Sequence, residues 1–345
     1  METSRPTARE AWLDSLKGFA ALLVVLGHVL SGYLDAGTFP AAYDSFYAVR
    51  TWIYSFHMPL FFLLSGFTFT LAYYRGGTLR RGGYLRQLAN LLWIYVVFAL
   101  LQWCVKQAVP DLVNEAYTLE DLKRMFLVPL GNFWYIYVLI ALYLLGALLR
   151  LPVRRPVWLV PLCGVSVYVA YVHLDWTQLT IYRILYHLFF FAAGSMLCVR
   201  RRYLSSEKFL GISLMLLATA AYFYFFWHIR SWYASWKVLI AAGTSFFYVY
   251  AFHHWQLLTR FPLFRVCGKY ALELYLLHTF FTGGLRTLLS LAGMTGPWLS
   301  VWVNFVVSTA VSLLLAYLAG RCLWMDLLFR PARFVQRLER GIRKD

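Results

Sequence analysis

Charge is what this chain has least of. Lys, Arg, Asp and Glu together make up 14% of its 345 residues, and only 15 of them are acidic against 32 that are basic. Apolar residues account for 61%. A soluble domain of this length has no use for so much apolar surface, so the composition excludes one and indicates a polytopic membrane protein. Cysteine is sparse. Cys104, Cys163, Cys198, Cys267 and Cys322 stand singly in or beside apolar runs, with neither CxxC spacing nor a disulfide framework, and read as small buried hydrophobes. A Walker loop, GxGxxG, GxSxG and HExxH are also missing from any usable context. No metal site is expected, because His253 and His254 are adjacent and cannot face together, while His28, His57 and His278 lie on separate segments.

Long apolar runs fill the rest. Segments near 12–33, 52–74, 87–108, 132–150, 157–173, 182–199, 209–228, 235–254, 266–290 and 298–324 each approach the roughly 20 residues a spanning helix needs. The expected fold class is therefore all-α, a polytopic membrane helix bundle of about ten transmembrane helices. The first run continues past His28 without a small-residue cleavage site and is expected to stay as an anchor. Aromatic residues reach 19%, with 14 Trp and 25 Tyr, which suits anchoring at both interfaces.

Loop charge supplies the orientation. Placing the N-terminus, every second loop and the C-terminal tail on one side collects 24 of the 32 Lys and Arg there, with clusters at Arg75/Arg80/Arg81/Arg86, Arg150/Arg154/Arg155 and Arg200/Arg201/Arg202/Lys208. The other side holds Asp35, Asp44, Asp111, Glu115, Glu120, Asp121 and Asp175. The positive-inside rule makes the first side cytoplasmic, with both termini inside. The basic excess then marks a face toward anionic membrane lipids, and no nucleic-acid partner is expected. Residues 1–330 read as one transmembrane domain and 331–345 as a basic cytoplasmic tail able to form a short amphipathic helix. The acidic outer connection 109–131 has room for a short interfacial helix.

A few ionisable residues sit where lipid should be. Lys17 and His28 are eleven positions apart, within roughly 20° of one helix face and about 16 Å apart along the axis. Asp14 falls within about 60° of the same stripe. With the orientation above, Lys17 lies near the cytoplasmic face and His28 in the outer half. His57 is expected at the depth of His28 on the next helix, and Pro59 beside it would disturb that helix and free carbonyls toward a cavity. Glu273 and His278 are five residues apart, about 140° around a helix, and face different neighbours. Glu273 in lipid must be neutral or paired, and the basic Arg75–Arg86 loop offers partners. Such residues carry a functional default, weighed here against snorkelling for Lys17 and packing for the histidines. Trp134 opens the fourth segment as an interfacial ring or a site member. Arg183, His187, His173, His228, His253 and His254 read as packing or loop residues.

A general base reached through a basic mouth suits a donor with a phosphorylated head and a long neutral arm, which is the shape of a coenzyme A thioester. Composition alone fits a transporter or exporter of a sugar or lipid-linked glycan equally well.

Several stretches also resemble a known family. Asp14-Ser-Leu-Lys17-Gly-Phe-Ala with Lys17-x10-His28, and Ser55-Phe-His57-Met-Pro-Leu-Phe-Phe-Leu-Leu-Ser-Gly-Phe67, resemble the acyltransferase-3 family of ten-helix membrane O-acyltransferases, which includes fucose 4-O-acetylase-like proteins. Asn132-Phe-Trp134-Tyr-Ile, Leu188-Phe-Phe-Phe-Ala-Ala-Gly194 and Gly268-Lys-Tyr-Ala-Leu-Glu273-Leu-Tyr-Leu-Leu-His278 follow in family order. The resemblance implies transfer of an acyl group, usually acetyl, from cytoplasmic acyl-CoA to a hydroxyl of an extracytoplasmic carbohydrate at the cell membrane, with no bound cofactor. It implies His28 as catalytic base, Glu273 as the essential acid, and Lys17 with Arg75 and Arg80 or Arg81 as donor-binding cations. His57 or Trp134 would support the oxyanion, and Asp14 and His278 would assist. The rival to direct transfer is an acyl-histidine relay. Lys17 stands where many members carry Arg, keeping charge but losing bidentate phosphate recognition. Ala271 replaces a usual Ser.

Overall fold

The structure, a computed structural model, describes residues 10–75, 77–108, 117–151, 155–171, 180–226, 233–255, 259–331 and 334–335. The tail reading for 331–345 falls almost wholly outside these residues, as do His173, His228, Asp111, Glu115 and Asp175.

Helices dominate. They are α1 (Ala11–Asp35), α2 (Tyr43–Tyr73), α3 (Arg81–Ala108), α4 (Leu119–Lys123), α5 (Trp134–Leu148), α6 (Leu159–Tyr171) and α7 (Thr180–Val199). There follow α8 (Glu207–Phe226), α9 (Tyr233–His254), α10 (Pro262–Lys269), α11 (Ala271–Leu291), α12 (Pro297–Ala319) and α13 (Leu323–Phe329). A two-residue hairpin, β1 (Tyr74–Arg75) with β2 (Thr78–Leu79), joins α2 to α3 and pairs Tyr74 with Leu79. Among the described residues, six helices are long and apolar enough to cross a membrane: α1, α2 with its leading turn from Pro40, α3, α5 with its leading turn from Gly131, α7 and α12.

Three differences from the expected segments matter for the site. α2 starts at Tyr43, more than two turns before the expected 52, because Pro40 opens a tight turn that runs straight into it. The helix passes through Pro59 and stays continuous to Tyr73, so Pro59 ends nothing. The expected 266–290 segment is two helices. Tyr270, at φ −111° and ψ 23°, breaks it between Lys269 and Ala271 and puts Glu273 in the first turn of α11. The connection between α3 and α5 holds the short α4, closed by a capping box in which Thr118 and Asp121 satisfy each other's end of the helix.

α1, α2 and α7 form the interior: about two-thirds of each apolar window is buried (67%, 61% and 67%), against 28% for α3 at the rim. Lipid tails are as apolar as Leu, so close packing and polar bridges hold such helices together rather than hydrophobic burial. Both devices are visible. A Cβ on Gly268 would lie 1.7 Å from the Asp14 carbonyl oxygen, and one on Gly18 1.8 Å from that of Phe264, so α1 and α10 cross backbone to backbone. Gly66 and Gly194 do the same for α2 and α7, against Phe191 and Leu63. Thr70 and Ser195 share a hydrogen bond of 2.7 Å across α2 and α7, Ser166 donates to the Tyr186 carbonyl at 2.9 Å, and Asn304 donates to the Thr282 carbonyl at 3.0 Å.

Candidate active site

The α1–α10 crossing fixes Lys17 beside Gly268 and Lys269, and all three line a cavity of about 540 Å³. Glu273 and Arg330 line the same cavity and form an ion pair there. The Glu273 side chain is only 6% exposed while that of Arg330 is 33% exposed, so the pair runs from the buried wall of the cavity toward the surface. From this cationic end the cavity runs between α2, α5 and α11, past Thr68, Ser65, Tyr135 and Tyr275, to Val24 and Met58. Ser65 and Tyr135 share a hydroxyl–hydroxyl hydrogen bond of 3.1 Å, and the Tyr275 hydroxyl donates to the Asn132 carbonyl. The cavity thus has a charged end, a wall of hydroxyls and an apolar tip.

Val24 lies one helical turn before His28, and Met58 directly follows His57. Beyond that tip the imidazoles gather. The His28 and His278 ring centroids are 5.1 Å apart. Tyr54 contacts both His28, at 6.2 Å, and His57, at 4.9 Å, and so bridges the two. His57 Nδ1 donates to the Ile53 carbonyl at 2.8 Å and His278 Nδ1 to the Leu274 carbonyl at 3.0 Å. A carbonyl only accepts, so in both neutral rings the proton sits on Nδ1 and the lone pair on Nε2. His278 Nε2 is buried and has no hydrogen-bond partner among the described residues. Three histidines meet here from α1, α2 and α11, yet among the described residues no group of three or more His, Cys, Asp and Glu is arranged to hold a metal ion.

A profile described as an acyltransferase domain, that of the acyltransferase-3 family, matches residues 10–321. The chain belongs to the acyltransferase-3 family. It is also 28% identical over 180 residues to the nodulation protein NolL of Mesorhizobium japonicum, covering 50% of this chain and 45% of the relative. To NolL of Sinorhizobium fredii it is 26% identical over 189 residues, covering 52% and 47%. The matched stretch is thus about half of this chain and under half of each relative. No solved structure matches. An acyltransferase domain takes precedence over the exporter reading that composition left open.

Within this acyltransferase-3 chain the other expected residues are dispersed. Asp14 lies at the α1–α10 crossing through its backbone. Arg75 is in β1, two residues after Tyr73, which lines the cavity; Arg80 and Arg81 follow β2 and are exposed. Neither Arg80 nor Arg81 lines the cavity. Among the described residues the partner of Glu273 is Arg330, after α13, and not Arg80, Arg81 or Arg86. Trp134 meets Phe62 and His187, with the Arg183 guanidinium 4.8 Å above its ring, and makes no ring contact with His28. His187 is buried and donates from Nδ1 to the Arg183 carbonyl at 2.7 Å.

Sequence reasoning missed Lys269, Tyr275, Ser65, Tyr135 and Arg330 as cavity residues. The first two lie inside the Gly268–His278 stretch already singled out, and Ser65 inside Ser55–Phe67. Tyr135 follows Trp134. Arg330 had no signal, because one more arginine near a basic tail is indistinguishable from its neighbours.

Proposed function

We propose that the chain transfers an acyl group, in the first instance acetyl, from a coenzyme A thioester to a hydroxyl of a carbohydrate across the membrane. The observation that carries this reading is the cavity, which opens among Lys17, Lys269 and Arg330 and ends within one turn of His28 and beside His57. Its shape suits a polyanionic head, a thin arm and a reactive tip, in that order. The exposed Arg80 and Arg81 stand close after the helix end that lines the mouth and would meet the outer phosphates. The loop charges support placing this mouth in the cytoplasm, with about ten crossings, both termini inside and the cell membrane as the location.

In the reaction, His28 takes the proton of the acceptor hydroxyl as its oxygen attacks the thioester carbonyl. The carbon–sulfur bond breaks, an ester carbon–oxygen bond forms, and the proton passes from the His28 imidazolium to the departing thiolate. His278, with its proton committed to the Leu274 carbonyl, presents a lone pair to the neighbourhood of His28 and would orient that ring. Neutral His57 has spent its proton on the Ile53 carbonyl, which weakens its case as an oxyanion donor. The Ser65 and Tyr135 hydroxyls line the cavity wall between the cationic end and the tip, where they can meet the donor's arm.

The test uses full-length protein in nanodiscs with labelled acetyl-CoA and the glycan fraction of its own cell envelope. Transfer should fall by about 10²–10⁴-fold in His28→Ala. Unchanged transfer in that variant, or sugar movement without acyl chemistry, overturns the reading. A quenched single turnover without acceptor separates the two routes, since labelled protein would indicate the relay.

A further inference from the structure

α2 carries a stripe that the reaction above does not use. Its 31 residues make it about 46 Å long, well beyond the roughly 30 Å of hydrocarbon, and the excess lies at the end leading away from the cationic mouth. Tyr43, Tyr47, Arg50, Tyr54 and His57 follow at alternating spacings of four and three and fall within about 80° of one face. The Tyr43 and Tyr47 rings are stacked at 6.0 Å with 13° between their planes, and both are about half exposed. The Arg50 guanidinium lies 5.4 Å from the Tyr47 ring and 5.7 Å from the Tyr54 ring. Its Nε is buried and has no hydrogen-bond partner among the described residues. Tyr54 also shares a hydrogen bond of 3.1 Å with Ser31 of α1 and reaches both His28 and His57. At the edge of the stripe, within about 20° of His57, buried Phe46 anchors the helix edge-on to Trp298 at 5.0 Å.

We infer that this stripe is the acceptor track: a ladder on which a chain of pyranose sugars lies, leading its reactive hydroxyl to His28. The inference rests on the acyl-transfer reading above and adds the acceptor's binding site. Flat rings with hydroxyl rims suit the apolar faces and polar edges of sugars, and the unpaired Arg50 Nε–H suits a ring or hydroxyl oxygen. Interfacial anchoring is the competing account. A belt holds its rings at one depth, whereas Tyr43 and Tyr54 are about 16 Å apart along the axis. Trp52, exposed on the opposite face, is what a belt residue on this helix looks like. The track from Tyr43 to His57 spans about 21 Å, which fits an oligosaccharide better than a single sugar.

The test measures transfer from labelled acetyl-CoA to two cell-envelope fractions, water-soluble polysaccharide and lipid-linked sugar, over a range of acceptor concentrations. Tyr47→Ala should raise the acceptor KM about five- to tenfold with kcat and donor KM little changed. Tyr47→Trp should restore it, and Trp52→Ala should leave it alone. Tyr43→Ala should act only on acceptors long enough to reach the far end. An unchanged acceptor KM in both Tyr47→Ala and Tyr54→Ala, with wild-type transfer intact, overturns the track and leaves acyl transfer standing. Equal loss of stability in Tyr47→Ala and Trp52→Ala without a KM effect assigns the rings to anchoring. Wild-type protein that acylates neither fraction removes the glycan reading and the track together.

Discussion

His28 and His278 come from opposite ends of the chain and meet ring to ring at 5.1 Å across α1 and α11. In the proposed reaction the contact divides the labour between them. His278 holds its own proton on the Leu274 carbonyl and keeps a buried, unpartnered Nε2. His278→Gln should therefore lower kcat by about tenfold and shift the pH profile, while His28→Ala loses about 10²–10⁴-fold at every pH. A purely structural His278 would instead lower folded yield and leave the profile of the surviving enzyme unchanged, which pH–rate measurements on purified variants distinguish.

The Glu273–Arg330 pair should couple stability to donor binding. Arg330→Ala leaves a nearly buried carboxylate without its partner and should cost about 2–3 kcal/mol, below the full penalty for a buried pair because Arg330 is a third exposed. The same change should raise the acyl-CoA KM, since a cavity cation is lost. Glu273→Gln combined with Arg330→Gln should recover much of the stability and none of the donor affinity. Thermal unfolding and KM on wild type, Arg330→Ala and the double Gln variant check both halves.

Gly268→Ala should be far more damaging than an Ala substitution in an exposed helix. Its Cβ would fall 1.7 Å from the Asp14 carbonyl oxygen, which is backbone and cannot swing aside. Separating α1 from α10 displaces Lys17 from Lys269, so about 3 kcal/mol or more of stability and most of the donor affinity should go together. Gly164→Ala, with open space around it, is the matched control and should be close to neutral. Folded yield by size-exclusion chromatography reads the difference.

Acid should loosen the α3–α5 connection at α4 before the bundle. Hydrogen bonds from the Thr118 backbone N–H and hydroxyl hold the Asp121 carboxyl below its ordinary 3.8. A depressed carboxyl stabilises the folded form above that ordinary value, and the contribution is lost as pH falls through the lowered one. Thr118→Ala should remove the pH dependence and destabilise the helix by about 0.5–1 kcal/mol, the low end for an exposed cap. Amide exchange across 119–123 between pH 5 and pH 2 measures both.

Much of the candidate site was legible in the sequence because ionisable groups are rare in apolar runs. Lys17, His28, His57, Glu273 and His278 stand out against their neighbours, and the helical period alone put Lys17 and His28 on one face. Helix ends were harder to see. Tyr270 breaks the expected 266–290 segment although nothing in its own type forbids a helix there; the close α1–α10 crossing at Gly18 and Gly268 sits just before it. The start of α2 was also hidden, since its first turns mix Tyr, Asp, Ser and Arg and do not look apolar.

What the sequence determined by itself is class and family: a helical membrane protein, with its rare ionisable residues and its acyltransferase-3 motifs. Periodicity and loop charge are local properties, and they survive without any knowledge of which helices touch. Tertiary structure alone decided the partnerships. It set Arg330, and not Arg80, Arg81 or Arg86, on Glu273, brought His278 to His28, put Trp134 with His187 and Arg183, and opened the cavity between α2, α5 and α11. Those outcomes depend on where glycine lets two backbones approach, and no single helix records the shape of its neighbour.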